Sequence, residues 1–438
     1  MSGRPGTPPG PRPGPRPGPR SRTLSGTLRN ALRALAPPAA RQAVRRLRKA
    51  AAGPPAFETE LGAYRFAPED GPPRLTLVIP SVAKASAFGG VTTGLDIFRR
   101  LGAALGCELR IATTDPEGPP AERARGAEDV PLVPRRGRGA ELSAREKEIF
   151  IAYNWHCAAN LAPLLAAQQA HYGGREDNPL VYLIQEYEPG FFPFSADHLL
   201  IRWAYELPCP TYAVVNSSLL ADHMAAQGHV FARTHVFEPR LNAALKPHLA
   251  GLQQAEKRKR LLVYGRPLEN RNCWPILRRG LELWAAARPD QSDWQVVSAG
   301  AAHAPLPLAG GRRARSVGKL SLDGYAAMLR ESAVGVSLMA SPHPSYPPLE
   351  MASFGLTTLT NRYAGKDLSR LHPNLRALPD PRPETLAETL GAACDAFAAD
   401  PAAGARAAAT PIPGYLDEEP YPFLPALVED LEPFLARR

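Results

Sequence analysis

The residues from Ala340 to Gly355, Ala340-Ser-Pro-His-Pro-Ser-Tyr-Pro-Pro-Leu-Glu-Met-Ala-Ser-Phe-Gly355, have the make-up of a loop that faces phosphate and then opens a helix carrying one early carboxylate, Glu350. An apolar run, Val334-Gly-Val-Ser-Leu-Met339, precedes the loop and reads as a buried parallel strand, and a second, Leu356-Thr-Thr-Leu-Thr360, follows Gly355. Strand, loop, helix and strand make a βαβ unit. Ligands of such units lie beyond the carboxyl ends of the strands, where a helix N-terminus offers unpaired N–H groups and the positive end of its dipole to phosphate. Pro347 and Pro348 suit the first helical turn, where a missing N–H costs little. The segment reads as a sugar-nucleotide site or as an ordinary crossover with a helix-capping loop, and the rest of the chain has to separate the two.

With 438 residues the chain has room for two sizeable domains and more. Hydrophobic content is 44%, enough for real cores, yet no run approaches the roughly 18 apolar residues of a membrane span. The start of the chain lacks the apolar stretch of a secretory signal, and the five cysteines are scattered and odd in number. A reducing cytoplasm is therefore the expected location. No Cys-x-x-Cys, His-Glu-x-x-His or close His/Asp cluster occurs, so no metal site is expected.

The formal charge of +10 is unevenly spread. Residues 1–55 hold twelve Lys or Arg and no Asp or Glu, which leaves the other 383 residues at −2. A folded body without a basic patch argues against nucleic acid as a partner. The first part of the tail, Pro11-Arg-Pro-Gly-Pro-Arg-Pro-Gly-Pro-Arg20, is a repeat that cannot form helix or core and is expected to be extended. Further on, Leu24, Leu28, Leu32 and Leu35 recur at helical spacing, and Val44 and Leu47 sit among Arg41, Arg45, Arg46, Arg48 and Lys49. Basic amphipathic helices of this kind lie on anionic membranes, which predicts peripheral contact with the inner membrane face. A helix packed on the body, or a solvated charge run, fits the same residues.

Beyond the tail, apolar runs alternate with helical patterns in the manner of two doubly wound α/β domains. Strands are expected at Leu75–Ile79, Glu108–Thr113, Glu148–Tyr153, Leu180–Gln185 and Thr211–Asn216, with a helix from about Val91 to Ala104. That makes a Rossmann-like domain over residues 56–240. A polar, basic linker is expected around 238–258. A second Rossmann-like domain over 259–420 then has strands at Leu261–Tyr264, Trp294–Ser298, Val334–Met339 and Leu356–Thr360 and a helix near Trp274–Ala287. Residues 421–438 read as a closing helix that packs back on the first domain.

Two such domains, each with a glycine-marked loop after its first strand, resemble the GT-B glycosyltransferase plan. Gly318-Lys-Leu-Ser-Leu-Asp-Gly-Tyr325 followed by Val334–Met339 and Pro344-Ser-Tyr-Pro-Pro-Leu-Glu350 resembles the donor half of glycosyltransferase family 4 and, more narrowly, the WsaF-type rhamnosyltransferases. Val263-Tyr-Gly-Arg-Pro267 with Arg271-Asn272, Tyr182-Leu-Ile-Gln-Glu-Tyr-Glu-Pro-Gly190, Val215-Asn-Ser-Ser218 and Asn361-Arg-Tyr-Ala-Gly-Lys-Asp-Leu-Ser369 carry the same likeness, which spans roughly residues 70–370. It implies a nucleotide-sugar donor, dTDP-L-rhamnose first among them, a lipid-linked glycan acceptor, no cofactor, and retaining transfer that requires no protein nucleophile. A GDP- or UDP-hexose donor stays open, as does a catalytically silent glycan-binding or scaffold module. Family 4 enzymes usually carry two glutamates separated by seven residues in this loop. Glu350 matches the second, whereas Pro342 stands at the first.

Charge that develops on a leaving diphosphate calls for cationic or dipolar groups. Arg266 and Arg271 are the expected pair, unless Arg266 merely pairs with Glu269, and Lys319 is a weaker third. Gly89 and Gly90 would let backbone N–H groups approach the diphosphate from the other domain, or simply make a turn. Gly265, Asn272, Ser345, Tyr346, Leu349 and Glu350 complete the nucleotide-sugar set that the resemblance implies. On the acceptor side, Asn154-Trp-His156 and Gln185-Glu-Tyr-Glu188 follow strands, so His156 or Glu188 would orient an acceptor hydroxyl; each also reads as a structural residue. Most of Phe191-Phe-Pro-Phe194 is expected in the core.

Overall fold

The computed structural model describes residues 61–436 except 85–88, 115–119, 121, 135–138, 174–177 and 193. The basic tail and its amphipathic stretches lie outside the described residues.

Two seven-stranded sheets carry the structure. The first has the order β4-β3-β2-β6-β7-β8-β9 and is parallel throughout, from β2 (Arg74–Ile79), β3 (Glu108–Thr113), β4 (Leu132–Pro134), β6 (Glu148–Ala152), β7 (Leu180–Ile184), β8 (Thr211–Asn216) and β9 (Arg233–Phe237). Strands β1 (Arg65–Pro68) and β5 (Glu141–Ala144) form a small parallel pair beside it. The second sheet runs β12-β13-β11-β10-β14-β15-β16. Its strands are β10 (Arg258–Gly265), β11 (Gln295–Gly300), β12 (Leu306–Pro307), β13 (Arg313–Gly318), β14 (Ser332–Val336), β15 (Thr357–Asn361) and β16 (Leu375–Leu378). Only β12 is antiparallel there, paired with β13.

Every residue of β2, β6, β7, β8 and β14 is buried. That is why these strands read as continuous apolar runs rather than alternating ones: a parallel sheet has helices on both faces. Ile79, Leu95, Phe98 and Val181 belong to the core on one face of the first sheet, and Phe150, Leu161, Tyr182 and Val215 to the core on the other. The helices used below are α1 (Gly89–Leu105), α2 (Trp155–Tyr172), α3 (Ala196–Trp203), α4 (Ser218–Ala226), α5 (Trp274–Ala287), α6 (Leu322–Glu331), α7 (Tyr346–Ser353), α8 (Pro383–Ala399), α9 (Ala403–Ala407) and α10 (Leu424–Ala436). Helix α10 joins the first core through Leu427, Leu431 and Phe434, and its Asp430 accepts from His235 Nε2 at 3.0 Å.

The segment between the sheets is less polar than its composition suggests. Leu241, Leu245 and Leu252 anchor it in the core that also holds Leu262, Phe354 and Tyr415. Lys257, 8% exposed, reaches inward, and its Nζ donates to Leu329 O at 2.9 Å and Phe354 O at 2.6 Å, the carbonyls that end α6 and α7. Burial pushes its ammonium down to about 7.

At the amino ends of the first sheet, away from the loops that follow its strands, a buried ion cluster fixes the register. Glu148 is fully buried and accepts from Arg74 at 2.7 Å and Arg110 at 2.6 Å, while Arg74 also bonds Glu69 at 2.7 Å. Arg74 pairs with Glu148, and Thr76 with Arg110, across adjacent strands. Removing the anion would strand two buried guanidinium groups. Glu148→Ala should therefore cost about 3–5 kcal/mol of stability, whereas Lys84→Ala, which breaks an exposed pair with Glu122, should cost less than about 1 kcal/mol. Urea unfolding of the two variants beside the parent checks both values.

Candidate active site

The carboxyl ends of both sheets point loops at one another, and side-chain contacts cross between them. Asn216 Nδ2 donates to the Tyr346 hydroxyl at 3.1 Å. The Ser341 hydroxyl donates to Glu186 Oε1. The Arg271 guanidinium lies over the Phe191 ring, 4.6 Å from its centre, and the rings of His223 and Tyr363 are 6.3 Å apart.

The backbone at this junction is strained. Among the described residues, the non-glycine positions with positive φ are Ser217 (96°), Cys273 (51°), Ser345 (68°) and Ala364 (48°). Ser217, Cys273 and Ser345 cap the N-termini of α4, α5 and α7, and Ala364 precedes Lys366 in a tight turn closed by the Lys366 N–H donating to Tyr363 O at 2.9 Å. Such conformations cost on the order of 1–3 kcal/mol each and concentrate where a site is preorganised.

Several buried polar groups without partners also lie here. The His343 Nδ1 accepts the Ser345 N–H at 2.9 Å, so the neutral ring carries its proton on Nε2. That Nε2 is buried and has no hydrogen-bond partner, and the side-chain oxygens of Asn216, Asn272, Ser337 and Thr360 are in the same state. Burial, then the charges of Lys366 and Arg271, push His343 down to about 3, so the ring is neutral. Lys366 is 3% exposed, and its Nζ makes one hydrogen bond, to Met339 O at 2.9 Å. Burial pushes it down to about 8 against the pull of Glu186. The Arg271 main-chain carbonyl accepts from Ala340 N at 2.7 Å, so Arg271, Lys366 and His343 are tied to one loop. A buried polar group without a partner is rare enough to need a reason, and several N–H donors together make a place for an anion.

Glu350, on α7, keeps part of its surface open. Its carboxyl is pushed up to about 7 by burial, with Tyr325 drawing it part of the way back. Tyr346 begins this helix, Ser345 caps it without a side-chain bond, and Leu349 turns away into the core with Leu262 and Phe354. Pro342, where the first glutamate of family 4 would stand, is buried between Ser341 and His343.

The remaining expected residues fall into place unevenly. Arg266 Nη2 bonds Glu269 Oε1 at 3.1 Å, the surface pairing that its sequence allowed. Gly265 serves packing, since a Cβ there would meet Ser298 Oγ at 2.0 Å. Gly89 and Gly90 open α1, and Gly90 lets it approach Gln185, whose Nε2 donates to Gly90 O at 3.1 Å. Lys319 is exposed just past β13. His156 is buried in α2 with its Nε2 2.7 Å from Asn154 Nδ2, the side chain that caps this helix. Glu188 Oε2 accepts from Trp155 N at 2.9 Å, Tyr182 Oη at 2.8 Å and Tyr205 Oη at 3.3 Å. Burial nevertheless lifts Glu188 to about 8 against those donors. The phenylalanine cluster is core only in part: Phe192 packs against Trp155, Ala159, Ile201 and Ala204, whereas Phe194 is 96% exposed and Phe191 stacks on Arg271. Three residues that sequence reasoning did not single out, Glu186, His343 and Lys366, stand at the centre of the junction. Glu186 and Lys366 lie inside segments that carried the family resemblance and His343 in the loop just before another, and a lysine in a Tyr-Ala-Gly-Lys turn after a buried strand was the best available signal.

Comparison with known proteins agrees with this geometry. Residues 74–218 match the model of the WsaF N-terminal domain and residues 259–391 that of the WsaF C-terminal domain, together more than half of the chain. The O-antigen biosynthesis protein RfbC of Myxococcus xanthus is 29% identical over 181 residues, a stretch that spans 41% of this chain and only 14% of that protein. Among solved structures, one described as trehalose-6-phosphate from E. coli bound with UDP-2-fluoro glucose superposes with a TM-score of 0.55 at 10% identity, over 82% of this chain and 99% of that one. The UDP-forming alpha,alpha-trehalose-phosphate synthase of Burkholderia vietnamiensis gives 0.52 at 12% identity, over 83% and 99%. At such identities the likeness is one of fold, the GT-B arrangement of two facing sheets. The chain belongs to the WsaF family of GT-B glycosyltransferases.

Proposed function

We propose that the protein transfers L-rhamnose from dTDP-L-rhamnose to a lipid-linked cell-surface glycan with retention of configuration. The observation that carries a nucleotide-sugar site is a set of incompletely used donors, the Arg271 guanidinium stacked on Phe191, Lys366 Nζ with its single hydrogen bond and the buried, unpartnered His343 Nε2, at the strand ends beside Glu350. The WsaF match supports the rhamnosyl donor, and the naming of the Myxococcus xanthus relative as an O-antigen biosynthesis protein supports a surface glycan as acceptor.

In this reading a diphosphate lies among the three donors, which face the charge that grows as the glycosidic bond breaks. Fixed donors in a site with little water stabilise that charge without having to reorganise. Glu350 takes the hydroxyls of the nucleotide sugar. No protein nucleophile is assigned, because front-face attack is assisted by the leaving phosphate. Glu188 lies on the opposite wall, where a carboxyl lifted to about 8 holds its proton at neutral pH.

Calorimetric titration with dTDP, UDP and GDP tests the donor. dTDP should bind most tightly, and Arg271→Ala should weaken it by about 1.5–3 kcal/mol, the range for hydrogen bonds to charged groups. Arg266→Ala should cost less, because Glu269 already holds that side chain. Preference for UDP or GDP would replace the donor, and an unchanged affinity in Arg271→Ala would remove that residue from the site.

Glu350 also gives a pH signature. A carboxyl raised from 4.5 to about 7 in the folded protein keeps its proton where the unfolded chain has lost it. Its contribution to stability is therefore complete below pH 4.5 and falls away as the pH rises through 7. Glu350→Gln stays neutral, so it should gain about 1–3 kcal/mol on the parent between pH 5 and pH 8. Urea unfolding at the two values measures this difference.

Peripheral membrane contact through residues 1–55 belongs to the same proposal, since each basic residue near an anionic surface is worth about 1 kcal/mol. Removing them should abolish sedimentation with anionic vesicles at low salt and leave transfer to a short soluble acceptor intact. Equal sedimentation of both forms would contradict it.

A further inference from the structure

Glu186 follows β7 on the first sheet, and its carboxylate crosses the junction to accept the Ser341 hydroxyl and its own neighbour's N–H, that of Tyr187, at 3.1 Å. Ser341 Oγ in turn accepts the His343 N–H at 3.0 Å. One residue before Ser341, the Ala340 N–H donates to the carbonyl of Arg271, and two residues before it, Met339 O receives Lys366 Nζ. Glu186 is thus carried to the loop that holds both cations. Burial pushes its carboxyl up, against the Ser341 hydroxyl and the charges of Arg271 and Lys366, yet among the described residues neither cation forms an ion pair with it within 4 Å. The Arg271 guanidinium stacks on Phe191 and finds no acceptor, and Lys366 spends one donor of three.

We propose that Glu186 is a positioning residue that serves as the resident anion of the donor site. It holds Ser341, Arg271 and Lys366 in place from the facing domain until a nucleoside diphosphate takes over those two cations. The proposal rests on the donor site read above. Its physical content is a competition: two cations in a poorly solvated junction are balanced by one carboxylate, and an incoming diphosphate brings further negative charge into the field of that carboxylate. Holding the site together without ligand and weakening the ligand's entry are then the same interaction. A carboxylate that only braced the loop would instead help the diphosphate by keeping Arg271 and Lys366 aimed.

The two roles predict opposite signs. In Glu186→Gln the amide still reaches Ser341 but the charge is gone, so a resident anion predicts nucleoside diphosphate binding roughly three- to tenfold tighter than in the parent. Binding of the corresponding nucleoside, which lacks phosphate, should not change. Ser341→Ala frees the carboxylate without removing its charge and should tighten the diphosphate by a smaller factor. Isothermal titration of dTDP and thymidine into the three full-length proteins reads this out. Tighter dTDP with unchanged thymidine supports the proposal. Weaker or unchanged dTDP in Glu186→Gln overturns it and leaves the donor site standing. Failure of every protein to bind any of dTDP, UDP and GDP overturns the donor-site reading and this proposal with it. Should Glu186→Gln not fold, the sign for Ser341→Ala decides alone.

Discussion

Taking an ammonium or a guanidinium out of water costs several kcal/mol per ion unless acceptors replace the lost solvent. Lys366 is nearly buried with one acceptor, and Arg271 has an aromatic face but no acceptor. The protein meets that cost only in part, through the Glu186 carboxylate on the other side of the junction. The other features of the site follow from holding these groups there. The strained caps at Ser217, Cys273 and Ser345 set the directions of three helix starts. His343 is kept neutral by burial and then by the same two cations, which leaves it an N–H donor rather than a third charge.

The contrast with the other charged cluster of the molecule shows what is special here. Around Glu148 every buried charge meets its partner at hydrogen-bond distance, with Arg74 and Arg110 bound at 2.7 and 2.6 Å. That cluster lies at the amino ends of the strands and joins them. At the carboxyl ends several buried polar groups, donors and acceptors alike, are left without partners. Charges that meet their partners fix a fold, whereas groups left without one suit a ligand.

Much of the fold was legible in the chain because parallel strands buried on both faces leave continuous apolar runs. Glu108–Thr113 and Thr211–Asn216 coincide with the expected strands, and Trp274–Ala287 with the expected helix. The edge strand β9 (Arg233–Phe237) and the half-buried β13 (Arg313–Gly318) were missed because arginines interrupt their runs, which such strands tolerate. The linker's leucines were hidden among polar neighbours, and only tertiary packing shows that Leu241, Leu245 and Leu252 point into one core. Of the candidate site residues, Arg271 and Glu350 were singled out from the sequence, and Arg266 takes the surface pairing that was its alternative. Glu186 and Lys366 were not, because they lie some 180 residues apart in the chain and their meaning depends on a meeting across two domains.

The most direct test of the central claim is a crystal structure of the full-length protein with bound dTDP. The diphosphate should lie among Arg271, the Lys366 ammonium and His343 Nε2, with the ribose toward Glu350. A diphosphate held at Arg266 or Lys319, with Arg271 still stacked on Phe191 and Lys366 untouched, would contradict the account.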